Sequence, residues 1–158
     1  MHSSHEEGEA GMVIKLDMEY AFDRVNHSFL FLVMEKLEFN FDFISWIKAF
    51  IGSPWIAPLI NGHHGALFAA SRGLRQGFHL SPLIYIIMAK YLSCNLEVGN
   101  HNGSLPGLSV ARNVREINHF QFADNTLLID GSSLVIASRF KKILDGFLLH
   151  SGGMTNNL

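Results

Sequence analysis

The sequence predicts an α+β fold, a mainly antiparallel sheet with helices laid on one face. Segments that read as strands stand at residues 12–17, 114–123 and 127–130, and runs with helical spacing lie between and after them. The two kinds mix without a regular βαβ alternation, and that mixture argues α+β. With 158 residues, 48% of them apolar and 16% charged, the chain has room for one domain with a sizeable core. No internal repeat, low-complexity run or long linker divides it.

Residues 1–11 are acidic and His-rich, which reads as a flexible start and not as a signal or transit peptide. The domain itself is expected over residues 12–158. In the first strand Met12, Ile14 and Leu16 share one face, so Asp17 ends it on the more polar face with Val13 and Lys15. Asn26 or Ser28 can cap a helix through Phe29, Leu32, Val33, Lys36 and Leu37. A second helix is expected from Phe41 to Ile51, stopped by Ser53-Pro54. Residues 56–60 and 66–70 flank Asn61-Gly62, a dipeptide suited to positive φ, and predict a β-hairpin. Ser81 and Pro82 then open a helix to about Asn95. Residues 114–123 and 127–130 read as two strands joined at Asp124-Asn125-Thr126. In the last helix Ile136, Phe140, Ile143, Leu144 and Phe147 recur at helical spacing, opposite Arg139, Lys141, Lys142 and Asp145.

Lys and Arg number 12 against 14 Asp and Glu, a net charge of −2, so there is no general basic field to hold a nucleic acid. Such a partner has to be met by local groups or by parts outside this chain. The single cysteine, Cys94, excludes an internal disulfide and a Cys-cluster zinc site, and fits a reducing, intracellular compartment. The longest apolar stretch, residues 80–89, holds Ser81 and Pro82 and is too short to cross a bilayer, so no membrane partner is expected.

Two acidic residues stand where a strand stops: Asp17 in Lys15-Leu16-Asp17-Met18, and Asp124 in Gln121-Phe122-Ala123-Asp124-Asn125. Carboxylates delivered by adjacent strand ends can converge on one point, and Mg²⁺ accepts such hard oxygen ligands, with water and phosphate filling its other positions. The same residues can instead cap or turn the chain, and spacing alone leaves both readings open. His63 and His64 sit beside the hairpin turn, but adjacent strand residues face opposite ways and do not chelate together. Nine histidines without regular ligand spacing are the whole case for a histidine metal-binding protein.

Lys15-Leu16-Asp17-Met18-Glu19-Tyr20-Ala21-Phe22-Asp23 resembles motif A of the reverse transcriptases of LINE-type (non-LTR) retrotransposons, particularly plant ones. Ser71-Arg72-Gly73-Leu74-Arg75-Gln76-Gly77, followed by Leu80-Ser81-Pro82-Leu83, resembles their motif B. His119-Phe120-Gln121-Phe122-Ala123-Asp124-Asn125-Thr126-Leu127-Leu128 resembles motif C, whose family form is Phe-Ala-Asp-Asp. Trp46-Ile47, Ser53-Pro54 and Leu59-Ile60-Asn61-Gly62 are similar to the stretch between motifs A and B, and the likeness runs from about Met12 to Asn157.

This resemblance implies a polymerase palm with fingers and thumb missing from this chain. The implied reaction adds dNTPs to a DNA primer 3′-end on an RNA template by two-metal phosphoryl transfer, with Mg²⁺ or else Mn²⁺. By the same resemblance Asp17 and Asp124 match the two metal ligands, and Asn125 completes the catalytic corner. Phe22 matches the aromatic gate against a ribose 2′-hydroxyl, a role compatible with core packing. Gln76 and Gly77 match the loop against the incoming nucleotide, where glycine permits close backbone approach. Arg72 and Arg75 match basic positions near the nucleic acid. Asp23 is assigned to a turn or helix start, and Lys15 to a cleft or to solvent.

Asn125 departs from the family's second aspartate. Its amide oxygen can ligate a metal but brings no charge, a loss on the order of 1 to 4 kcal/mol beside a cation about 4 Å away. Phe78-His79 replaces a small or acidic residue followed by proline, which crowds and loosens the nucleotide loop. The implied outcome is little or no activity in this chain alone. The alternative is a non-catalytic retroelement remnant acting at most as a weak binding or interaction module.

Overall fold

The computed structural model describes residues 11–53, 55–109 and 116–155. Pro54 and the Val114-Arg115 start of the expected third strand lie outside them, as does the start of the chain up to residue 10. In chain order the elements are β1 (Gly11–Asp17), α1 (His27–Lys36), α2 (Phe41–Gly52), β2 (Trp55–Ile56), β3 (Leu59–Ile60), β4 (His63–His64), β5 (Phe68–Ala69), α3 (Leu80–His101), β6 (His119–Phe122), β7 (Asn125–Gly131) and α4 (Leu134–Ser151). The fold is α+β. Two compact units divide the chain: one holds β1 with Leu92–Gly146, the other Met18–Tyr91 with the chain from Phe147 onward.

In the first unit β7 is the centre of a three-stranded antiparallel sheet, ordered β1-β7-β6. The alternation read in the sequence sets its faces. Thr126, Leu128 and Asp130 are buried, and the register puts Leu16, Ile14 and Met12 beside them on the same face. Leu96, Leu105 and Phe140 complete this core at 0–1% exposure, and Ile136 Cδ1 lies 3.8 Å from where a Cβ on Gly131 would stand. Asn118 donates through Nδ2 to the carbonyls of Leu96 and Leu105, so the chain enters β6 on satisfied polar groups. The opposite sheet face stays open: Val13, Phe120 and Phe122 on it are exposed. Gly11, read with the flexible start, already pairs with Gly131.

The corner of the β6–β7 hairpin is tighter than its sequence implies. Phe122 pairs with Asn125, so only Ala123 and Asp124 turn the chain, while Asn125 and Thr126 already belong to β7. Ala123 takes φ +52, the positive value a two-residue hairpin loop demands.

In the second unit Asn26 is the cap of α1, its Oδ1 accepting from Phe29 N at 3.2 Å, and Asn40 caps α2 through Asp42 N. The apolar faces of these helices supply Leu30, Val33, Met34, Ile44, Ile47 and Ile51 to a core shared with Ile84, Tyr85 and Met88. Phe29 packs edge-on against Tyr91 and Phe147, with ring centroids 5.1 and 6.3 Å away.

Two boundaries differ from expectation here. The hairpin forms at Asn61-Gly62, with φ values of +50 and +81, but as two short ladders, β3–β4 at the turn and β2–β5 beyond it. Pro58, which has no N–H, breaks the arms between them, and its carbonyl instead takes Gly65 N. Helix α3 begins at Leu80, not at a Ser81 cap. Ser81 N donates to Phe78 O and Ser81 Oγ donates to Arg75 O at 2.6 Å, tying the helix to the loop before it. The helix also runs on to His101, where Leu105 N returns to Gly99 O and Gly103 adopts φ +70. Among the described residues no helix is long and apolar enough to cross a membrane.

Candidate active site

In the first unit, strand pairing sets Asp17 beside the Asp124-Asn125 turn. Asp17, the last residue of β1, is the register partner of Asn125, the first of β7, and Asp124 immediately precedes it. Directly opposed residues of an antiparallel pair have Cα atoms about 4.5–5.5 Å apart, so strand pairing alone brings the Asp17 backbone beside that of Asp124-Asn125. Asp17 and Asn125 also share the open sheet face with Lys15, Leu127 and Phe122. Asp17 is exposed and Asp124 half-buried. Asn125 Nδ2 donates to Asp124 Oδ1 at 3.1 Å, which fixes the amide and engages one carboxylate oxygen. The positive φ at Ala123 puts local backbone strain at this corner, about 1–2 kcal/mol for a non-glycine residue.

The second unit assembles the expected loop. Arg72 and Asn26 form an isolated bridge, Gly73 N donates to Val25 O, and Leu74 N donates to Phe22 O at 2.7 Å. His27 Nε2 bonds the Gly73 carbonyl at 2.7 Å. A Cβ on Gly73 would stand 2.8 Å from Asp23 O, and its φ is +87, so this crossing requires glycine. Beyond it opens a cavity of about 410 Å³ lined by Phe22, Arg75, Gln76, Gly77, Phe78 and the start of α3. Phe22 is half-buried, with its ring 5.3 Å from that of Tyr85, so it packs and lines the cavity at once. Phe78 forms a wall, wedged between Phe50 (5.4 Å, edge-on) and the Arg75 guanidinium (5.1 Å above its ring). Gly77 takes φ +81 with nothing within 4 Å of a would-be Cβ, so its conformation, and no protein neighbour, calls for glycine there.

Phe22, Arg75, Gln76 and Gly77 thus line one cavity. Arg72 does not: it lines a second one, about 290 Å³, with Asp23, Ile51 and Arg75. Sequence reasoning missed the bond from Gln76 Nε2 to both carboxylate oxygens of Asp23, each at 3.0 Å. It also missed the His27 tie. The two residues of each pair are 53 and 46 positions apart, and no local pattern signals such pairs. His63 and His64 are exposed, and among the described residues no group of three or more His, Cys, Asp or Glu converges.

Residues 1–155 match the family model described as reverse transcriptase (RNA-dependent DNA polymerase). The chain is 44% identical, over 68 residues, to an uncharacterized mitochondrial protein of Arabidopsis thaliana, which covers 43% of this chain and 56% of that one. It is 24% identical over 156 residues to the retrovirus-related Pol polyprotein of the type-1 retrotransposable element R2 of Popillia japonica, covering 98% of this chain but 21% of the relative. In fold it resembles telomerase from Candida albicans, solved in complex with a fragment of telomeric RNA. The TM-score is 0.69 at 15% identity, over 96% of this chain and 27% of that one. The chain therefore spans about half, or less, of the proteins it matches.

Proposed function

Since the chain belongs to the reverse transcriptase (RNA-dependent DNA polymerase) family, we propose that it is the palm part of an RNA-directed DNA polymerase of a LINE-type element. The observation that carries this reading is the pairing of Asp17 with Asn125 beside Asp124, in the first and third of three ordered motifs. In the proposed reaction a primer 3′-oxygen attacks the α-phosphorus of a dNTP. The bond to pyrophosphate breaks and the hydroxyl proton leaves to water.

The donor set fits a divalent ion of the hard, oxygen-seeking kind: two carboxylates from strand ends, with water and triphosphate oxygens for the remaining positions. Asp17 and Asp124 would hold it, Asp124 through the oxygen that Asn125 leaves unengaged. Bound Mg²⁺ supplies Lewis acidity at the reacting phosphate. Phe22 supports the role of gate, because a bulky ring on the cavity wall penalises an added 2′-hydroxyl. Gln76 and the Gly77 backbone take the nucleotide, and Arg75 offers a cation for phosphate.

RNA template, DNA primer and dNTPs are the proposed partners, with the duplex held mainly by regions beyond this chain, whose own net charge is −2. Asn125 and Phe78 favour a second reading, a remnant that binds weakly and does not catalyse. The experiment is Mn²⁺-dependent dGTP binding, followed by primer extension on an RNA template. Binding should fall about tenfold or more in Asp17→Asn and in Asp124→Asn, with extension by the wild-type chain near background. Binding indifferent to both carboxylates rejects the polymerase site, and robust extension rejects the inactive chain.

A further inference from the structure

Gln76 lines the larger cavity of the second unit, and Asp23 does not. A carboxylate accepts hydrogen bonds and donates none, so the arm of Gln76 that faces Asp23 at 3.0 Å from both oxygens is its amide nitrogen. Both side chains are exposed, and an exposed glutamine without such a partner presents either arm. The backbones that carry them are locked together. Leu74 N donates to Phe22 O, and Gly73 passes so close to the Asp23 carbonyl that no Cβ fits. Asp23 N in turn donates to Tyr20 O at 2.9 Å, which fixes the turn that presents its carboxylate.

We infer that Asp23 is a positioning residue: it holds the Gln76 amide nitrogen away from the cavity and so turns the carboxamide oxygen, an acceptor, toward it. The cavity then recognises a ligand through a hydrogen-bond donor, such as a sugar hydroxyl, and disfavours an acceptor at that spot. Phe22 and Phe78 add apolar walls on which a ring system can lie. This rests on the nucleotide reading of the cavity for its ligand, and on geometry alone for the orientation.

The test has two arms. In the first, NMR of the wild-type chain follows the side-chain amide of Gln76. A downfield, slowly exchanging proton is expected, lost in Asp23→Ala and weakened in Asp23→Asn, where either amide arm can face the other. An averaged, fast-exchanging Gln76 amide in the wild type overturns the orientation.

In the second arm dGTP affinity is measured for wild type, Asp23→Ala, Gln76→Ala and the double variant, each checked by thermal unfolding. Each single variant should lose about three- to tenfold, the weight of one hydrogen bond, and the double variant no more than either. Equal further loss from Asp23→Ala in the Gln76→Ala background marks a merely structural role and overturns the inference. Asp23→Asn, nearly isosteric, stands in where Asp23→Ala does not fold. If the wild-type chain binds no dGTP while the Gln76 amide behaves as expected, the nucleotide reading fails and the orientation stands.

Discussion

At the scale of the residue, the acidic corner turns on Asn125 and Ala123. Asn125 faces Asp17 across the ladder and donates to Asp124, so Asn125→Asp replaces a donor by a third negative charge. Mn²⁺ affinity should rise by about tenfold, toward the low end expected of a solvated charge about 4 Å from a cation. Without metal the variant should be slightly less stable than wild type. Calorimetric titration measures the first and urea unfolding the second, and an unchanged affinity would remove Asn125 from the site. Ala123→Gly should raise stability by about 1 kcal/mol, because glycine adopts φ +52 at no steric cost. The placement of Asp17 at the end of β1 and of Asp124 just past β6 was legible in the alternation of those strands, while their reading as a metal pair came from the motif resemblance alone. The strain at Ala123 was not, because alanine gives no sign of positive φ. Neither was the Gln76–Asp23 bond, which depends on how two distant loops cross.

At the scale of the element, periodicity read well wherever one face is buried. The alternation in β1 separates Met12, Ile14 and Leu16 from exposed Val13, and Phe140 of α4 is 1% exposed while Lys141 points to solvent. Phe140→Ala should therefore cost about 3–5 kcal/mol in chemical denaturation. Lys141→Ala should cost less than about 0.5 kcal/mol, as its ion pair with Asp145 (3.5 Å) is solvent-exposed. Equal effects would mean that α4 is not docked by this face. Boundaries read less well. Propensity rules place a cap at Ser81, but its hydroxyl is taken by Arg75 O, and Pro58 divides a hairpin that alternation alone draws as continuous. The loop crossing at Gly73 supplies a sharper test. Gly73→Ala forces a Cβ to 2.8 Å from the Asp23 carbonyl at φ +87, and should lower stability by about 2 kcal/mol or more in thermal unfolding.

At the scale of the molecule, family membership was legible because three motifs stand in order along one chain, a pattern that no single strand-end aspartate carries. The α+β fold followed from the mixture of elements and is shared, at a TM-score of 0.69, with a telomerase only 15% identical. The division into two compact units was not legible, since α3 and α4 run through residues of both without any break in composition. Strand pairing is proposed to give the first unit a divalent-cation site at Asp17 and Asp124. Its most direct test is paramagnetic broadening of the amide NMR spectrum by substoichiometric Mn²⁺. Broadening should centre on Asp17, Asp124 and Asn125, and be abolished by Asp17→Asn in a variant that unfolds at the wild-type temperature. Broadening centred on His63-His64, or unchanged by Asp17→Asn, would contradict it.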